Sequence, residues 1–273
     1  MKDTKDIRIA VIGAGNLGTA LARGLAKSKQ FKAENITLTR RKTASLEPLS
    51  EEGFKVNTNN REAVRESDII VIGVLPQQFN QVITDLKPAI DNKQHLIISL
   101  VTGVSSQDIQ KHLGDQVRVA RAMPNTAIAI GESMTCLSTL NAEKSDMDLV
   151  TTMFNTVGET VTIGEEYMTA ATALCACGVA FFLRAVRAAS QGGTEIGFHA
   201  DEALKMAAQT AKGAASLLLS RDLHPEREID KVTSPKGCTI AGLNEMEHQG
   251  FSSAMIKGII TSATKAGELY KAD

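Results

Sequence analysis

Short apolar runs alternate with stretches of helical periodicity along roughly the first half of the chain. The apolar runs predict strands at residues 7–12, 35–39, 53–56, 68–74, 95–101 and 117–122, and an edge strand at 134–138. Between these runs, apolar residues at helical spacing predict helices at residues 17–26, 60–66, 78–86 and 104–113. Strands that alternate with helices form a parallel, doubly wound sheet. The expected fold of this part is therefore α/β.

From about residue 164 onward the pattern predicts helices only. They are expected at residues 167–177, 180–192, 201–220, 239–249 and 252–269. We therefore predict two domains, a Rossmann-type α/β domain at residues 1–163 and an all-α domain at residues 164–273. The helical domain is small and its apolar faces are long, so we expect part of that surface to be buried against a second copy of the chain.

A glycine turn follows the first predicted strand at once. Gly13, Gly15 and Gly18 have the G-x-G-x-x-G spacing, in which the glycines allow a tight turn, close approach of a pyrophosphate and close packing of helix on strand. The start of the next helix, at Asn16 and Leu17, offers unpaired N–H groups and a positive dipole end. This context favours a dinucleotide site over the alternative, a structural glycine turn.

The end of the second predicted strand is basic. Thr39-Arg40-Arg41-Lys42 lies roughly twenty residues beyond the glycine turn, where an NAD enzyme places Asp or Glu for the ribose 2′-hydroxyl. An arginine at this place can instead pair with a 2′-phosphate. The pattern favours NADP(H) as the cofactor over NAD(H), and the alternative is an ordinary solvated basic loop.

Composition and charge argue against several other classes of protein. The net charge of −1 gives no electrostatic reason to expect nucleic acid or an anionic membrane as a partner. Residues 1–6 lack the apolar core of a signal peptide, and no apolar run is expected to reach the ~18 residues of a membrane span. The four cysteines have neither zinc-like nor disulfide-framework spacing. We expect reduced thiols, no metal and a cytoplasmic location.

A second candidate site is the loop that enters a predicted helix at residues 232–247. Ser234 and Thr239 supply hydroxyls near the start of this helix. The N–H groups of Gly237, Cys238 and Thr239 could hold a small carboxylate. The alternative is a plain helix cap, and these residues alone do not decide between the two.

Three motifs have the spacing of one known family. They are the glycine entry at residues 12–18, the segment Met123-Pro-Asn-Thr126, and residues 233–243, which read Thr-Ser-Pro-Lys-Gly-Cys-Thr-Ile-Ala-Gly-Leu. With these motifs the chain resembles the pyrroline-5-carboxylate reductases over essentially its whole length. The family uses NAD(P)H to reduce the cyclic imine 1-pyrroline-5-carboxylate to proline. The resemblance therefore implies an oxidoreductase of proline biosynthesis that acts on a small-molecule substrate.

The resemblance also implies roles for individual residues. The residues expected to line the cofactor groove are Asn16, Leu17, Thr39, Arg40, Asn60, Val74, Pro76 and Thr102, and the candidate cofactor set also includes Gly13, Gly15, Gly18, Arg41 and Leu75. The expected substrate set is Ser234, Lys236, Gly237, Cys238 and Thr239, together with Glu165 and Cys175. The hydroxyl of Thr239 should reach the ring nitrogen as the catalytic group. Glu165 has the alternative role of a partner for a helix dipole in a first turn.

The same resemblance implies an assembly. Members of the family have a Rossmann domain and a helical domain that interlocks into homodimers, often assembled further into pentamers of dimers, which are decamers. No nucleic acid or membrane partner is expected.

The chain departs from the family pattern at three places. The family's S-G-S-G-P-A stretch is Cys175-Ala-Cys-Gly-Val-Ala180, the second loop glycine is Lys236, and the family's Lys-Pro after the fourth strand is Leu75-Pro76. A Lys236 side chain that points to solvent has no energetic cost. A backbone that needs a positive φ at this position would disfavour lysine, because glycine adopts that conformation more easily. These departures leave two alternatives open, namely a related imine or keto-acid reductase with a changed substrate and a non-catalytic relative that binds NADP(H).

Overall fold

An eight-stranded sheet carries the N-terminal part of the chain in the computed structural model, which describes residues 3–42, 46–221 and 224–270. The strands are β1 (Ile9–Ile12), β2 (Ile36–Thr39), β3 (Lys55–Asn57), β4 (Ile69–Ile72), β5 (Leu96–Ser99), β6 (Arg118–Met123), β7 (Ser133–Leu140) and β8 (Gly158–Thr162). Their order in the sheet is β3-β2-β1-β4-β5-β6-β7-β8, and all neighbours are parallel except β6 and β7. The predicted doubly wound α/β fold is confirmed, and the antiparallel pair of β6 and β7 is the one departure from the predicted parallel sheet among the described strands.

Helices connect most of the strands and form the main elements of the C-terminal part. They are α1 (Asn16–Lys27), α2 (Glu47–Glu51), α3 (Asn60–Arg65), α4 (Phe79–Leu86), α5 (Ser106–Leu113), α6 (Lys144–Asn155), α7 (Met168–Ala171), α8 (Gly178–Glu195), α9 (Ala200–Arg221), α10 (Pro225–Lys231), α11 (Cys238–His248) and α12 (Phe251–Ala266).

Apolar clusters cover both faces of the sheet, which explains the continuous apolar runs in the sequence. Along β1, Ile9 and Val11 join one buried cluster, while Ala10 and Ile12 join the other. Because successive side chains of a strand point to opposite faces, a strand with helices on both sides must be apolar at every position. All four residues of β1 are accordingly buried.

Two strands at one end of the sheet differ from the prediction. The expected edge strand at 134–138 is β7, which pairs with both β6 and β8 and is therefore not an edge. The edge is β8, whose residues are exposed or half-buried and largely polar. A search for apolar runs overlooks such a strand because an edge strand with an exposed face needs few apolar residues.

Helical turns continue without a break from Glu165 to Glu195. The segment passes through α7, a π-helical turn at Thr172–Cys177 and α8. By length and composition alone it is able to cross a membrane, because a window of 18 residues within it has a mean hydropathy of 1.7. The expectation that no apolar run reaches this length is therefore wrong, because the few charged residues do not interrupt an otherwise apolar helical stretch.

The contacts within the chain divide it into two units. One unit, here called the sheet unit, comprises Met1–Cys177 and Ser262–Asp273, and the other, the helical unit, comprises Gly178–Thr261. Residues 164–177 thus pack with the sheet, whereas the prediction placed them with the helices. The last helix, α12, begins in the helical unit and ends in the sheet unit.

The helical unit exposes a large amount of apolar surface. Helices α8 and α9 pack together, and Phe181 and Met255 line a small cavity of about 300 Å³ between α8 and α12. The large apolar side chains that are more than half exposed are Phe182, Leu183, Ile196, Leu219, Val232, Ile256 and Ile260. Apolar surface of this extent is typical of a face that another molecule covers.

Candidate active site

The carboxyl ends of β1 to β5 border one groove with a cavity volume of about 1040 Å³. The predicted cofactor residues on its wall are Gly13, Gly15, Asn16, Leu17, Thr39, Arg40, Arg41, Asn60, Val74, Leu75, Pro76 and Thr102. Because parallel strands place their carboxyl ends at one edge of the sheet, turns that are distant in sequence meet here.

The three glycines of the turn have different surroundings. Gly13 has a φ of +86°, and a Cβ on it would lie 2.8 Å from Val74 Cγ1. A Cβ on Gly18 would lie 2.8 Å from Cγ1 of Val11, so Gly18 allows α1 to pack on β1 and does not line the groove. A Cβ on Gly15 would have Gly13 O at 4.0 Å as its nearest neighbour. The turn is therefore open at Gly15, where a ligand can approach the backbone.

The start of α1 has the properties of an anion site. Its N-cap residue is Gly15, so no side chain caps the first N–H groups of the helix. These groups and the positive end of the helix dipole are available to a phosphate. The open backbone and the uncapped helix fit the pyrophosphate of a dinucleotide.

Thr39, at the end of β2, supports the glycine turn. The N–H of Gly13 donates to Thr39 Oγ1 over 3.4 Å, and the N–H of Ala14 donates to the Thr39 carbonyl over 2.9 Å. The Thr39 side chain is buried. Thr39 therefore connects the end of β2 to the turn that follows β1.

The charges that follow Thr39 are positive. Arg40, Arg41 and Lys42 line the groove and are exposed, and none of them forms an ion pair with another residue in the described ranges. The place where a carboxylate would bind a ribose 2′-hydroxyl thus holds cations that can bind a 2′-phosphate.

The sequence-based set missed part of the groove wall. The missed residues include Thr58, Gln78, Gln81, Val82, Asp85 and Leu100. Thr58 and Leu100 directly follow β3 and β5, so the rule for strand ends could have found them. Residues 78, 81, 82 and 85 have the spacing of one helix face, which only the packing of α4 identifies as the groove face.

The predicted substrate loop lies in the helical unit, at the start of α11. The N–H of Gly237 donates to the carbonyl of Ser234 over 2.9 Å, so this N–H is not available to a carboxylate, contrary to the expectation. A Cβ on Gly237 would lie 2.5 Å from Ser234 Oγ, which explains the glycine. No side chain caps α11. The N–H groups of Cys238 and Thr239 in its first turn can therefore donate hydrogen bonds to an anion.

Lys236 occupies the position where the family pattern has a second glycine. Its φ is +57°, in the left-handed region that glycine adopts more easily than lysine. The residue is exposed, as expected for a lysine that points outward. The loop therefore keeps the conformation of a glycine turn at some cost in backbone strain. Leu75, where the family pattern has Lys, is 63% exposed at the groove.

The carboxylate of Glu165 is held inside the sheet unit. It accepts hydrogen bonds from the N–H of Ser106 (2.9 Å), the Ser106 hydroxyl (3.2 Å), the Ser138 hydroxyl (2.6 Å) and the guanidinium of Arg121 (2.8 Å). Burial raises the pKa of Glu165, but these hydrogen bonds and the Arg121 charge outweigh it and hold the pKa below its usual value. Ser106 begins α5, so Glu165 also partners a helix N-terminus, which belongs to α5 and not to its own turn.

Cys175 lies in the π-helical turn of the sheet unit. Its carbonyl accepts from Asn125 Nδ2 over 3.2 Å, and its Sγ is 3.8 Å from Cys136 Sγ. The predicted substrate residues thus fall into two groups. Ser234–Thr239 belong to the helical unit, while Glu165 and Cys175 belong to the sheet unit.

Two family descriptions match the chain. Residues 165–269 match the family described as pyrroline-5-carboxylate reductase dimerisation. Residues 8–103 match the family described as NADP oxidoreductase, coenzyme F420-dependent. The first match covers the helical unit, and the second covers the strands and turns that form the groove.

Relatives resemble the chain over nearly its whole length. Pyrroline-5-carboxylate reductase 1 of Dictyostelium discoideum is 51% identical, and the alignment covers 97% of this chain but 50% of the relative. Pyrroline-5-carboxylate reductase 2 of the same organism is 46% identical, with 98% of this chain and 94% of the relative covered. The chain thus spans about half the length of the first relative and nearly all of the second.

Solved structures resemble the fold closely. A pyrroline-5-carboxylate reductase from Coxiella burnetii is 27% identical, with a TM-score of 0.91 over 97% of this chain and 99% of the other. Plasmodium falciparum pyrroline carboxylate reductase with NADP bound is 25% identical, with a TM-score of 0.87 over 98% of this chain and 99% of the other. Together with the glycine turn and the loop before α11, these likenesses show that the chain belongs to the pyrroline-5-carboxylate reductase family.

Proposed function

We propose that this protein reduces the cyclic imine 1-pyrroline-5-carboxylate to proline, with NADPH as the hydride donor. The groove at the carboxyl ends of β1 to β5 carries this proposal. It combines an open glycine turn, an uncapped helix start and a basic end of β2, and the chain's relatives are named for this reaction.

The residues of the groove bind and orient the cofactor. When bound, NADPH supplies a hydride to the imine carbon. The N-terminus of α1 holds the pyrophosphate, and Arg40 and Arg41 hold the 2′-phosphate. NAD(H) lacks that phosphate and is the weaker cofactor.

The turn at Ser234–Thr239 binds the substrate carboxylate. The N–H groups of Cys238 and Thr239 at the uncapped start of α11 face the anion, with the Ser234 hydroxyl as a further donor. Lys236 lies within this turn, is exposed and strengthens the attraction for an anionic substrate.

The protein needs one proton donor for this reaction. The Thr239 hydroxyl donates a hydrogen bond to the ring nitrogen and passes its proton to that nitrogen as the hydride reaches the imine carbon. Water then returns a proton to the Thr239 oxygen. Because the cofactor provides the hydride, the main contribution of the protein is to hold the two reactants in position. This explains why the reaction does not depend on a His–Asp or Lys–Glu pair.

The assembly is a homodimer formed through residues 165–269, and such dimers associate further into decamers. The exposed apolar side chains of the helical unit support a dimer. Burial of this surface against a second copy stabilises the dimer relative to two separate copies. From the apolar stretch Glu165–Glu195, Phe182 and Leu183 of α8 contribute to this surface. The protein acts in the cytoplasm.

The test is the rate of NADPH oxidation with 1-pyrroline-5-carboxylate, repeated with NADH, pyrroline-2-carboxylate and ketopantoate. We expect the highest kcat/KM with 1-pyrroline-5-carboxylate and NADPH. A higher kcat/KM with either other substrate would instead assign a reductase of changed specificity. Binding of NADPH without turnover of any of the three substrates would favour a non-catalytic relative.

A further inference from the structure

Two thiols face each other at the junction of the sheet and the first long helical segment. Cys136 lies on β7, and Cys175 lies in the π-helical turn Thr172–Cys177. Their sulfur atoms are 3.8 Å apart. Cys136 is 3% exposed, whereas Cys175 is half-buried.

The backbone around both cysteines is held by the end of β6. Cys136 pairs with Met123 in the antiparallel ladder of β6 and β7. The carbonyl of Cys175 accepts a hydrogen bond from Asn125, two residues beyond Met123. Because both cysteines are fixed to the same short segment, their sulfur atoms stay close without help from a ligand.

The remaining distance to a covalent bond is short. The sulfur atoms must move from 3.8 Å to a disulfide bond length of about 2.0 Å. Cys175 lies in a π-helical turn, a form of helix that is rare and frequently occurs at functional sites. Within residues 3–42, 46–221 and 224–270, no group of three His, Cys, Asp or Glu side chains could hold a metal ion. Among the described residues the two thiols are thus a pair without a third metal-ligating side chain.

The two thiols differ in reactivity. The hydrogen bond from Cys136 lowers the pKa of Cys175 to about 7, and the same contact raises the pKa of Cys136. A fraction of Cys175 is thus thiolate near neutral pH, and the thiolate is the nucleophile in thiol–disulfide exchange. The more exposed cysteine of the pair is also the more reactive one.

We propose that Cys175 and Cys136 form a redox-active pair that low-molecular-weight disulfides, such as oxidised glutathione, convert to an intramolecular disulfide. In the first step the Cys175 thiolate attacks one sulfur of the glutathione disulfide, forms a mixed disulfide and releases one glutathione thiolate. In the second step Cys136 loses its proton and attacks Cys175 Sγ, which releases the second glutathione. The two cysteines are oxidised and one glutathione disulfide is reduced to two thiols.

The test uses the chain of 273 residues, reduced, freed of reductant and incubated with oxidised glutathione at neutral pH. Trypsin cleaves after Arg121, Lys144 and Arg184, so Cys136 and Cys175 fall on separate peptides. The variant Cys177→Ser is the matched control, because it leaves Cys175 as the single cysteine of its peptide. The readout is the mass of the protein and of its peptides, which does not depend on turnover. A failure of the proposed reductase activity would leave this readout unaffected.

We expect the wild type and Cys177→Ser to lose two hydrogens and to yield one cross-linked peptide that joins Cys136 to Cys175. The neighbouring thiol resolves the mixed disulfide, so the cross-linked form should exceed it by about tenfold or more. In the variant Cys136→Ala the reaction should stop at the mixed disulfide, with one glutathione on Cys175. Cys175→Ser, which restores the hydroxyl of the family pattern, should leave Cys136 unmodified.

Three results would overturn the proposal. The first is a wild type that keeps glutathione on Cys175 without forming the cross-link. The second is a cross-link between Cys175 and Cys177 in place of Cys136. The third is glutathione on Cys238 while Cys175 stays reduced.

Discussion

The guanidinium of Arg121 donates to the carboxylate of Glu165 over 2.8 Å, and the two side chains are 7% and 31% exposed. Arg121 lies on β6, while Glu165 begins the helical stretch that follows β8. The pair thus joins the interior of the sheet to the segment where the fold becomes helical. A buried cation whose partner is removed is costly, so the contact makes a specific prediction for stability.

Replacement of Glu165 by Ala should destabilise the protein by about 2–4 kcal/mol, because Arg121 loses its countercharge and Ser106 loses a helix-capping acceptor. The measurement is urea-induced unfolding at a fixed protein concentration, since association contributes to the stability of an oligomer. Glu166→Ala is the matched control, because Glu166 is adjacent but exposed. Equal losses of stability in both variants would contradict a specific role for Glu165.

The stability should also depend on pH through Glu165. Its pKa is lower in the folded protein than its usual value, so the unfolded chain binds more protons between the two pKa values. The contribution of Glu165 is fully present above the unfolded pKa of about 4.3 and is lost as the pH falls through the folded value. Unfolding free energies measured below pH ~5 should therefore fall less steeply for Glu165→Gln than for the wild type.

Arg40 and Arg41 should determine the choice of cofactor. In the double variant Arg40→Ala/Arg41→Ala, kcat/KM for NADPH should fall by about tenfold or more, because charged hydrogen bonds to a phosphate are lost. The value for NADH should change little. Lys27→Ala removes an exposed cation at the other end of α1 and serves as the control. An equal fall of kcat/KM with NADPH and with NADH would instead indicate a general electrostatic effect on binding.

The Thr239 hydroxyl should contribute to the reaction itself. Thr239→Val keeps the shape of the side chain and should lower kcat/KM by roughly tenfold or more, the effect of losing a charge-assisted hydrogen bond of ~1.5–3 kcal/mol. Thr239→Ser keeps the hydroxyl and should retain most of the activity. An unchanged rate for Thr239→Val would remove this residue from the mechanism.

Lys236 should be strained in the folded protein. A left-handed conformation costs a residue other than glycine about 1–2 kcal/mol, while glycine loses about 0.5–1 kcal/mol more conformational entropy on folding. Lys236→Gly should therefore raise the stability by up to about 1 kcal/mol, measured as the thermal midpoint. Lys29, with a φ of +61°, offers a second position of the same kind, and Lys29→Gly should act in the same direction. A lower midpoint for Lys236→Gly would show that the side chain makes a stabilising contact.

The groove could be predicted from the sequence because its parts are local. Gly13, Gly15 and the basic end of β2 each follow an apolar strand directly, and the rule for parallel sheets places such turns at one edge. The positions on α4 and the edge strand β8 could not be found in this way. Their roles depend on which face a helix presents and which neighbour a strand gains, and both are decided by packing.

The predicted substrate residues also include some that a sequence motif identifies and others whose contacts only the packing reveals. Ser234 and Thr239 belong to one short motif, so the sequence could bring them together. The contact of Glu165 with Ser106 and Arg121, and that of Cys175 with Cys136, join elements that are distant along the chain. No pattern of spacing indicates such pairs, because they result from how β6, β7 and the start of the helical stretch pack.

The division of the chain also has a consequence for protein synthesis. In the sheet unit, Phe79 of α4 packs edge to face on Tyr270, with ring centroids 5.8 Å apart, and Tyr270 donates to Asn80 over 2.9 Å. A ribosome makes Tyr270 only after the whole helical unit. The nascent sheet unit therefore emerges with one side of Phe79 uncovered, and it completes its packing only after translation has passed α12.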